Sequence, residues 1–163
     1  MLKKQLTHLY RSFTKIVDIE LPISASLYTA VGENTDLKLI GIIDLLLMDE
    51  NNDLVVVDHK TAIRSKSQKN VDDDLQFSAY SYLLASNRFT SDATAPVKCR
   101  MDVIRKLKKP KLEIYNTVRT AADRKRFAKI ANGILLGIEH KVYIPNKSWL
   151  CSDCQFARAC ASW

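Results

Sequence analysis

Two apolar runs separated by a short polar turn constrain the fold of this chain more than any other feature. Residues 41–48 and 54–61 are rich in Ile, Val and Leu, and residues 49–53 between them read Asp-Glu-Asn-Asn-Asp. Runs of this length, bounded by turn residues, are typical of strands that are buried on both faces and pair as a β-hairpin. Each run nevertheless contains an aspartate, Asp44 and Asp58, and a buried carboxylate is costly unless it is paired or coordinates a metal.

The two carboxylates are expected to lie close together on neighbouring strands. At a separation of about 4 Å, they would repel by roughly 4 kcal/mol at an effective dielectric constant of about 20, and a shared proton or a cation would relieve this repulsion. Lys60 follows Asp58 by two residues, so the two side chains point to the same side of the strand, whereas the side chain of His59 points to the opposite side. The pattern therefore predicts a site with two acids, one lysine and room for a divalent ion.

A helix is predicted after the hairpin. Asp72 or Asp73 can cap a helix over residues 73–87. Gln76 and Tyr80 are four residues apart and therefore lie on one face of that helix. This face either points at the carboxylates or is an ordinary amphipathic surface, and the helix alone does not decide between the two interpretations.

The order of three motifs resembles the PD-(D/E)xK nuclease superfamily and, within it, the RecB-like exonucleases, including CRISPR-associated and phage-type relatives. The motifs are Gly-Ile-Ile-Asp ending at Asp44, Asp-His-Lys-Thr beginning at Asp58, and Gln-x-x-x-Tyr beginning at Gln76. The resemblance implies an α/β fold with a restriction-endonuclease-like core, in which helices flank a central mixed β-sheet. A cysteine-rich C-terminal tail completes the predicted architecture.

The same resemblance implies a Mg²⁺- or Mn²⁺-dependent deoxyribonuclease, more specifically an exonuclease. Asp44, Asp58 and the backbone carbonyl of His59 would hold the metal. Lys60 would orient or deprotonate the attacking water, or neutralise developing charge, and the sequence leaves these roles open. The remaining two motif residues, Gln76 and Tyr80, would position water, phosphate or the nucleic-acid backbone.

The N-terminal region offers two further candidate metal ligands. Apolar residues at helical spacing predict an amphipathic helix over residues 2–17, and an alternating pattern predicts a strand over residues 18–31. By resemblance to the family, His8 on the helix and Glu20 on the strand can join the metal site. The alternatives are a solvated or capping histidine and a solvent-facing glutamate.

A formal net charge of +7 favours an anionic partner, and nucleic acid fits it most simply. Two basic segments are candidates for phosphate contacts, a loop after Thr61 and a hairpin loop over residues 105–111 between two further predicted strands. Simple solvation is the alternative for both. The candidate nucleic-acid-binding residues are Arg64, Lys66, Lys69, Arg105, Lys106, Lys108, Lys109 and Lys111.

A last helix is predicted from Thr120 to about residue 138, with an apolar core face that includes Ile134 and Ile138. Residues 1–142 are expected to form the nuclease core. Residues 143–163 are expected to form a cysteine-rich tail packed on that core.

The tail carries Cys151, Cys154 and Cys160 within ten residues, a spacing that favours metal binding over disulfides in a reducing compartment. RecB-like nucleases often have such a triplet with a fourth ligand far upstream, so the resemblance implies a [4Fe-4S] cluster. No cysteine precedes the core here, and Cys99, on a predicted strand, is more simply a small buried residue. A zinc site completed by His140 and the absence of any metal are the alternatives.

DNA is the expected partner, together with a helicase or another recombination or CRISPR protein. The longest apolar run is near ten residues, too short to cross a membrane, and a cytoplasmic location is expected. The alternative function is a catalytically idle nucleic-acid-binding or assembly module of the same fold.

Overall fold

The structure is a computed structural model that describes residues 13–29 and 34–162. In chain order its elements are β1 (Phe13–Tyr28), β2 (Asn34–Asp49), β3 (Leu54–Ala62), α1 (Gln68–Asp72), α2 (Leu75–Ser86), β4 (Val97–Arg105), β5 (Lys111–Arg119), α3 (Ala121–Glu139), a 3-10 helix (Trp149–Asp153) and α4 (Ala157–Ala161). Within the described residues, the strands form one five-stranded sheet in the order β1-β2-β3-β4-β5.

Strand direction makes this sheet mixed. The pairs β1–β2, β2–β3 and β4–β5 are antiparallel, whereas β3 and β4 are parallel. Parallel neighbours require a crossover connection, and α1 and α2 provide it between β3 and β4. The predicted α/β fold with a central mixed sheet and flanking helices is confirmed.

The predicted β2–β3 hairpin forms, with its turn at the expected place. Residues 45–48 pair with residues 54–57. Asp49 closes the turn because its carboxylate accepts hydrogen bonds from the amides of Asn51 and Asp53, both at 2.9 Å. Asp49 therefore stabilises the hairpin that carries the two candidate metal-binding acids.

Side-chain alternation along β3 divides the buried residues between the two faces of the sheet. Val56 belongs to the larger cluster, which includes Phe77 and Leu83 of α2. Val55 and Val57 belong to a smaller cluster. Because alternation continues along the strand, the next even-numbered side chains of β3 emerge on the face that α2 covers.

Burial on both faces, predicted for the whole hairpin, holds only for the part of β2 near the turn. Residues 45–47 are buried, whereas Ile40 and Ile42 are exposed. The pairing with β3 begins at residue 45, so the earlier half of β2 has β1 as its paired neighbour. One sheet face therefore stays open beside that half.

The N-terminal prediction requires correction. The helix predicted over residues 2–17 is wrong for residues 13–17, which belong to β1. Pairing with the long β2 decides the structure there, because the same apolar residues fit a strand as well as a helix. The rest of that predicted helix, including His8, lies outside the described residues. The strand predicted over residues 18–31 begins earlier and ends at Tyr28.

The later elements follow the predictions within a few residues. α2 begins at Leu75, and its cap is Asp74, whose carboxylate accepts a hydrogen bond from the Gln76 amide at 2.9 Å. The predicted cap was one of the two aspartates before it. The loop predicted after Thr61 contains the short helix α1, capped by Ser67.

The chain divides into two compact units between Lys129 and Ile130. In the first unit, Phe127 of α3 packs against the ring of Tyr82, with ring centroids 5.7 Å apart. The predicted core face of α3 is wrong at Ile134, which is 59% exposed, and at Ile138, which is 51% exposed. No helix among the described residues is long and apolar enough to cross a bilayer.

Candidate active site

Two carboxylates and a lysine meet where the β2–β3 ladder ends. Asp58 is 1% exposed, and its Oδ1 lies 3.0 Å from Nζ of Lys60, two residues further along β3. Beyond the last ladder pair, Asp44 Oδ2 accepts a hydrogen bond from the main-chain N–H of His59 at 2.8 Å. The carboxylate of Asp44 therefore accepts the hydrogen bond that a main-chain carbonyl of β2 would accept in a regular ladder. This hydrogen bond holds Asp44 close to Asp58.

Burial and charge shift the ionisation of this pair. Burial raises the pKa of Asp58, the charges of Asp44 and Asp74 raise it further, and Lys60 offsets this only in part. For Lys60, burial lowers the pKa, but the hydrogen bond and charge of Asp58 outweigh it and raise the pKa above its ordinary value. The lysine is therefore a cation in this arrangement, hydrogen-bonded to a buried carboxylate.

One oxygen of Asp58 has no hydrogen-bond partner among the described residues. Among the buried side-chain atoms of the described residues, Asp58 Oδ2 lacks any hydrogen bond. No group of three or more His, Cys, Asp or Glu side chains suited to a metal occurs in residues 13–29 and 34–162. Mg²⁺ is often bound through one or two carboxylates, with waters and substrate phosphates as the other ligands. An orphaned carboxylate oxygen beside Asp44 fits that kind of site.

The N-terminal half of α2 faces the same place. Gln76 Nε2 donates to the Tyr80 hydroxyl at 2.7 Å, and that hydroxyl donates to the Ile42 carbonyl at 2.9 Å. Burial raises the pKa of Tyr80, and the nearby charges of the two aspartates add to the rise. The structure therefore places Gln76 and Tyr80 next to the carboxylates. Of the two interpretations left open by the sequence, this face of α2 points at the carboxylates rather than forming an ordinary amphipathic surface.

A glycine permits this close approach of α2. A Cβ on Gly41 would lie 3.0 Å from Leu83 Cδ1 and 3.7 Å from Tyr80 Cε1. An alanine would require the buried Leu83 side chain to shift by a few tenths of an ångström, and a larger residue would need more space between α2 and β2. The glycine that opens the first apolar run thus helps to set the position of the tyrosine.

Glu20 adopts an unusual backbone conformation beside Asp44. Ile19 pairs with Leu45 and Leu21 with Ile43, so Glu20 stands opposite Asp44 on the neighbouring strand. Its φ of 52° is rare for a residue with a side chain. Sequence alone gave no signal for this conformation.

A pocket of about 640 Å³ lies beside these residues. It is lined by Ile16, Ile19, Glu20, Asp44, Leu45, Leu47 and His59. His59 lies on the side of β3 opposite to Asp58 and Lys60, as strand alternation predicts.

Parallel pairing of β3 and β4 brings the two predicted basic loops together. The Lys106 amide donates to the Ala62 carbonyl, and the Arg105 guanidinium donates to the Ile63 carbonyl, both at 2.8 Å. The loops therefore form one edge beyond the C-terminal ends of both strands. The candidate phosphate-binding cations in these loops are Arg64, Lys66, Lys106, Lys108 and Lys109.

Three other cations predicted to contact phosphates have acidic partners. Lys69 lies 2.7 Å from Asp73, Arg105 lies 3.0 Å from Glu113, and Lys111 lies 3.4 Å from Glu113. The Arg105 pair is the most shielded, since each side chain is 14% exposed. Arg105 therefore has a structural use that competes with a phosphate contact.

Sequence reasoning assigned Arg119 no role at the site. This buried guanidinium donates to the carbonyls of Val71 and Asp74 at 2.9 and 3.1 Å, and to the Ser78 hydroxyl at 3.1 Å. It also lies over the Phe77 ring, 5.7 Å from the centroid. Arg119 thus fixes the start of the helix that carries the site glutamine and tyrosine. A lone arginine at a strand end gives no sequence signal for this role.

The cysteines occupy different environments. Cys151 is exposed in the second unit, and its Sγ accepts a hydrogen bond from the Ser148 amide at 3.2 Å; Cys154 and Cys160 are also exposed. Cys99 is 2% exposed on β4, and burial raises the pKa of its thiol to about 12. A cluster ligand must be a thiolate, so this environment supports the packing interpretation of Cys99.

A mixed sheet that joins two carboxylates and a lysine on adjacent strands, with a helix supplying a glutamine and a tyrosine, is typical of restriction-endonuclease-like α/β enzymes. The family model of the PD-(D/E)XK nuclease superfamily matches residues 1–161. The chain therefore belongs to the PD-(D/E)XK nuclease superfamily, and the predicted family is confirmed. No curated protein matches the chain in sequence.

Solved structures share this fold at low sequence identity. SSO0001 is 18% identical, with a TM-score of 0.55 over 98% of this chain and 66% of its own. A Eubacterium rectale structure described as a "Putative exonuclease" is 12% identical, with a TM-score of 0.53 over 96% of this chain and 56% of its own. The chain thus spans about two thirds of the first protein's length and just over half of the second's.

Proposed function

We propose that this nuclease-family chain is a divalent-metal-dependent deoxyribonuclease that hydrolyses phosphodiester bonds. The observation that carries the proposal is the meeting of Asp44, Asp58 and Lys60, with Asp58 Oδ2 buried and unpartnered among the described residues. A structural ion pair would leave no such acceptor, since buried polar atoms are normally hydrogen-bonded. A bound cation would satisfy it.

In this proposal Asp44 and Asp58 hold Mg²⁺ or Mn²⁺, with the His59 carbonyl as a further ligand. When bound, the ion lowers the pKa of a water and offsets negative charge on the phosphate. Lys60 places a positive charge beside the reacting phosphate. Glu20 and His8 remain candidate accessory ligands, Glu20 because it stands opposite Asp44 in the β1–β2 pairing.

Gln76 and Tyr80 act as positioning residues. The Tyr80 hydroxyl is anchored on the Ile42 carbonyl, and Gln76 is held by its hydrogen bond to that hydroxyl. The loop cations, Arg64, Lys66, Lys106, Lys108 and Lys109, contact the backbone phosphates of the substrate beyond the site. Lys69, Arg105 and Lys111 are weaker candidates because carboxylates engage them.

The finer parts of the proposal rest on the RecB-like motifs. They favour exonuclease action in recombination, repair, or phage or CRISPR DNA processing, in the cytoplasm and with a helicase or similar partner. The description of the Eubacterium rectale neighbour agrees with exonuclease action. A catalytically idle binding module is the alternative, and the retention of Asp44, Asp58 and Lys60 argues against it.

An iron–sulfur cluster is not part of the proposal. Cys151, Cys154 and Cys160 provide thiols, but no group of metal-ligating side chains that includes them is assembled among the described residues. The buried Cys99 thiol does not suit a fourth ligand. The residues present do not fit the cluster, so no role is derived from it.

Cleavage of end-labelled linear DNA with Mg²⁺ or Mn²⁺ tests the proposal. We expect wild type to degrade linear DNA and to spare circular single-stranded DNA, because an exonuclease requires an end. Lys60→Ala should lower the rate by at least about a hundredfold, since it removes a charge acting on the transition state. Lys38→Ala is the matched control, because Lys38 is exposed on β2 and should be dispensable.

Two results would contradict this proposal. Inert wild-type protein that still binds DNA would favour the binding module. Equal rates of cleavage by wild type and Lys60→Ala would show that the reaction does not take place at this site. Cleavage of circular DNA would leave the nuclease in place but overturn exonuclease action.

A further inference from the structure

The first unit contains a second, larger pocket, of about 910 Å³. It lies at the C-terminal end of α2, between the end of β1 and the first turns of α3. Its lining residues are Tyr28, Thr29, Tyr82, Ala85, Ser86, Arg88, Thr90, Ser91, Asp92, Ala93, Ala121, Arg124, Lys125 and Ala128. None of them belongs to the metal site described above.

The pocket carries an excess of positive charge. Its charged lining residues are Arg88, Arg124, Lys125 and Asp92. The Asp92 carboxylate is occupied, because it accepts hydrogen bonds from two amides of residues 94–95 at 2.7 and 2.9 Å. Three cations therefore face a single, already satisfied acid.

Two of these cations are available to a ligand. The buried Arg124 donates to main-chain carbonyls of the 93–95 segment at 2.7 and 3.1 Å, so it has a structural use. In contrast, the exposed side chains of Arg88 and Lys125 have no hydrogen bond or ion pair within the described part of the chain. Within residues 13–29 and 34–162, no carboxylate compensates their charges at the pocket.

Arg88 occupies a backbone position that ordinarily favours glycine. It follows the cap of α2 with a φ of 60°, and Phe89 N–H donates to the Leu84 carbonyl at 3.0 Å, as in a Schellman motif. Glycine adopts this conformation without a steric penalty. An arginine at this position carries a steric penalty that glycine would avoid, which suggests that its side chain contributes to binding.

An aromatic surface accompanies the charge. The Tyr28 ring is 38% exposed and lies 6.2 Å from the ring of Tyr82. Cations combined with aromatic rings are the usual components of a surface that binds single-stranded nucleic acid. Ser86, at the pocket, lies six residues after Tyr80, about 9 Å further along the helix.

We propose that this pocket binds the backbone of the nucleic-acid substrate away from the scissile bond, with Arg88 and Lys125 contacting phosphates and Tyr28 stacking on a base. This inference rests on the proposed function, because it assumes that nucleic acid is the substrate. The nucleic-acid strand then contacts the protein near both ends of α2. The proposed metal site lies at one end and the pocket lies at the other.

Binding of a fluorescently labelled single-stranded oligonucleotide, measured by anisotropy in EDTA to prevent cleavage, tests the inference. Each lost phosphate contact should lower the slope of log affinity against log salt by about 0.7 and the affinity about fivefold at about 0.1 M salt. Arg88→Gly and Lys125→Ala should each show this loss. Lys129→Ala is the matched control, since Lys129 is exposed one turn further along α3 and does not line the pocket.

Arg88→Gly also separates binding from folding. Glycine relieves the backbone penalty, so its thermal unfolding temperature should equal or exceed that of wild type while its affinity falls. Unchanged affinity in both pocket variants, or an equal loss in Lys129→Ala, would overturn the inference. If DNA is bound through Arg88 and Lys125 but never cleaved, the proposed function fails and this inference stands; the reverse pattern rejects the inference alone.

Discussion

Among single residues, Asp58 is the one whose proposed metal-binding role would offset a cost in stability. It is 1% exposed, burial raises the pKa of its carboxyl, and one of its oxygens has no hydrogen bond in the described part of the protein. Lys60 pairs with the other oxygen but is itself 36% exposed. A buried and incompletely satisfied carboxylate lowers stability, and a bound cation would recover that loss.

Asp58→Asn should therefore leave the free energy of unfolding without metal unchanged or raise it, by up to about 1 kcal/mol, because the amide carries no buried charge and its oxygen can still accept the hydrogen bond from Lys60. Wild type should gain stability when Mg²⁺ is added, about 2.7 kcal/mol at a hundredfold excess over the dissociation constant, and the variant should not. Urea unfolding with and without Mg²⁺ measures both effects. Asp36→Asn, an exposed change on β2, is the control. Marked destabilisation of Asp58→Asn without metal would show that the carboxylate is structural.

The sequence makes Asp44, Asp58 and Lys60 predictable because carboxylates stand out in apolar runs and strand alternation fixes which side chains share a face. It does not reveal the left-handed conformation of Glu20 or the burial of Arg119. The burial of Arg119 depends on the junction of α1 and α2, which is distant in sequence, and no local residue pattern marks the conformation of Glu20.

Among the elements, β5 fixes the loop that follows β3. Glu113 on β5 accepts hydrogen bonds from the hydroxyls of Ser65 and Tyr115 at 2.5 and 3.0 Å and pairs with Arg105. The Ser65 hydrogen bond is the main cause that lowers the pKa of Glu113 to about 2, and the other partners add to it. The loop with the candidate phosphate-binding residues Arg64 and Lys66 is thereby attached to a strand.

This attachment predicts a dependence of stability on pH. The pKa of Glu113 falls from an ordinary value of 4.5 to about 2 on folding, so its contribution is complete above pH 4.5 and is lost as the pH falls towards 2. The free energy of unfolding of wild type should exceed that of Glu113→Gln, and this difference should fall by more than half between about pH 7 and about pH 3. Urea unfolding of both proteins, with Glu50→Gln as an exposed control, measures this difference. A difference that is the same at both pH values would refute the assigned role.

Local pattern predicted most elements but not the start of β1. The hairpin, α2 and the β4–β5 pair have strong turn or capping signals, whereas residues 13–17 fit a helix and a strand equally. Pairing with β2 resolves that choice, and no local signal reports it. Local sequence likewise did not predict that the two basic loops lie side by side, because their proximity follows from the parallel pairing of β3 and β4.

For the whole molecule, the net charge of +7 has a spatial pattern. One group of cations lies in the loops beyond β3 and β4, and another lies at the pocket beside the end of α2. Composition predicted an anionic partner but not this arrangement. The similar solved structures have longer chains, and the activity and partners of this chain belong to the proposal.

The central claim is that Asp44 and Asp58 form a metal-dependent nuclease site. The most direct test is the rate of DNA cleavage as a function of Mn²⁺ concentration for Asp44→Asn, Asp58→Asn and the β2 control Asp36→Asn. We predict metal-dependent cleavage by wild type and by Asp36→Asn, and rates at least about a hundredfold lower for both site variants at any metal concentration. Wild-type rates in Asp44→Asn and Asp58→Asn, or cleavage that needs no metal, would contradict the claim.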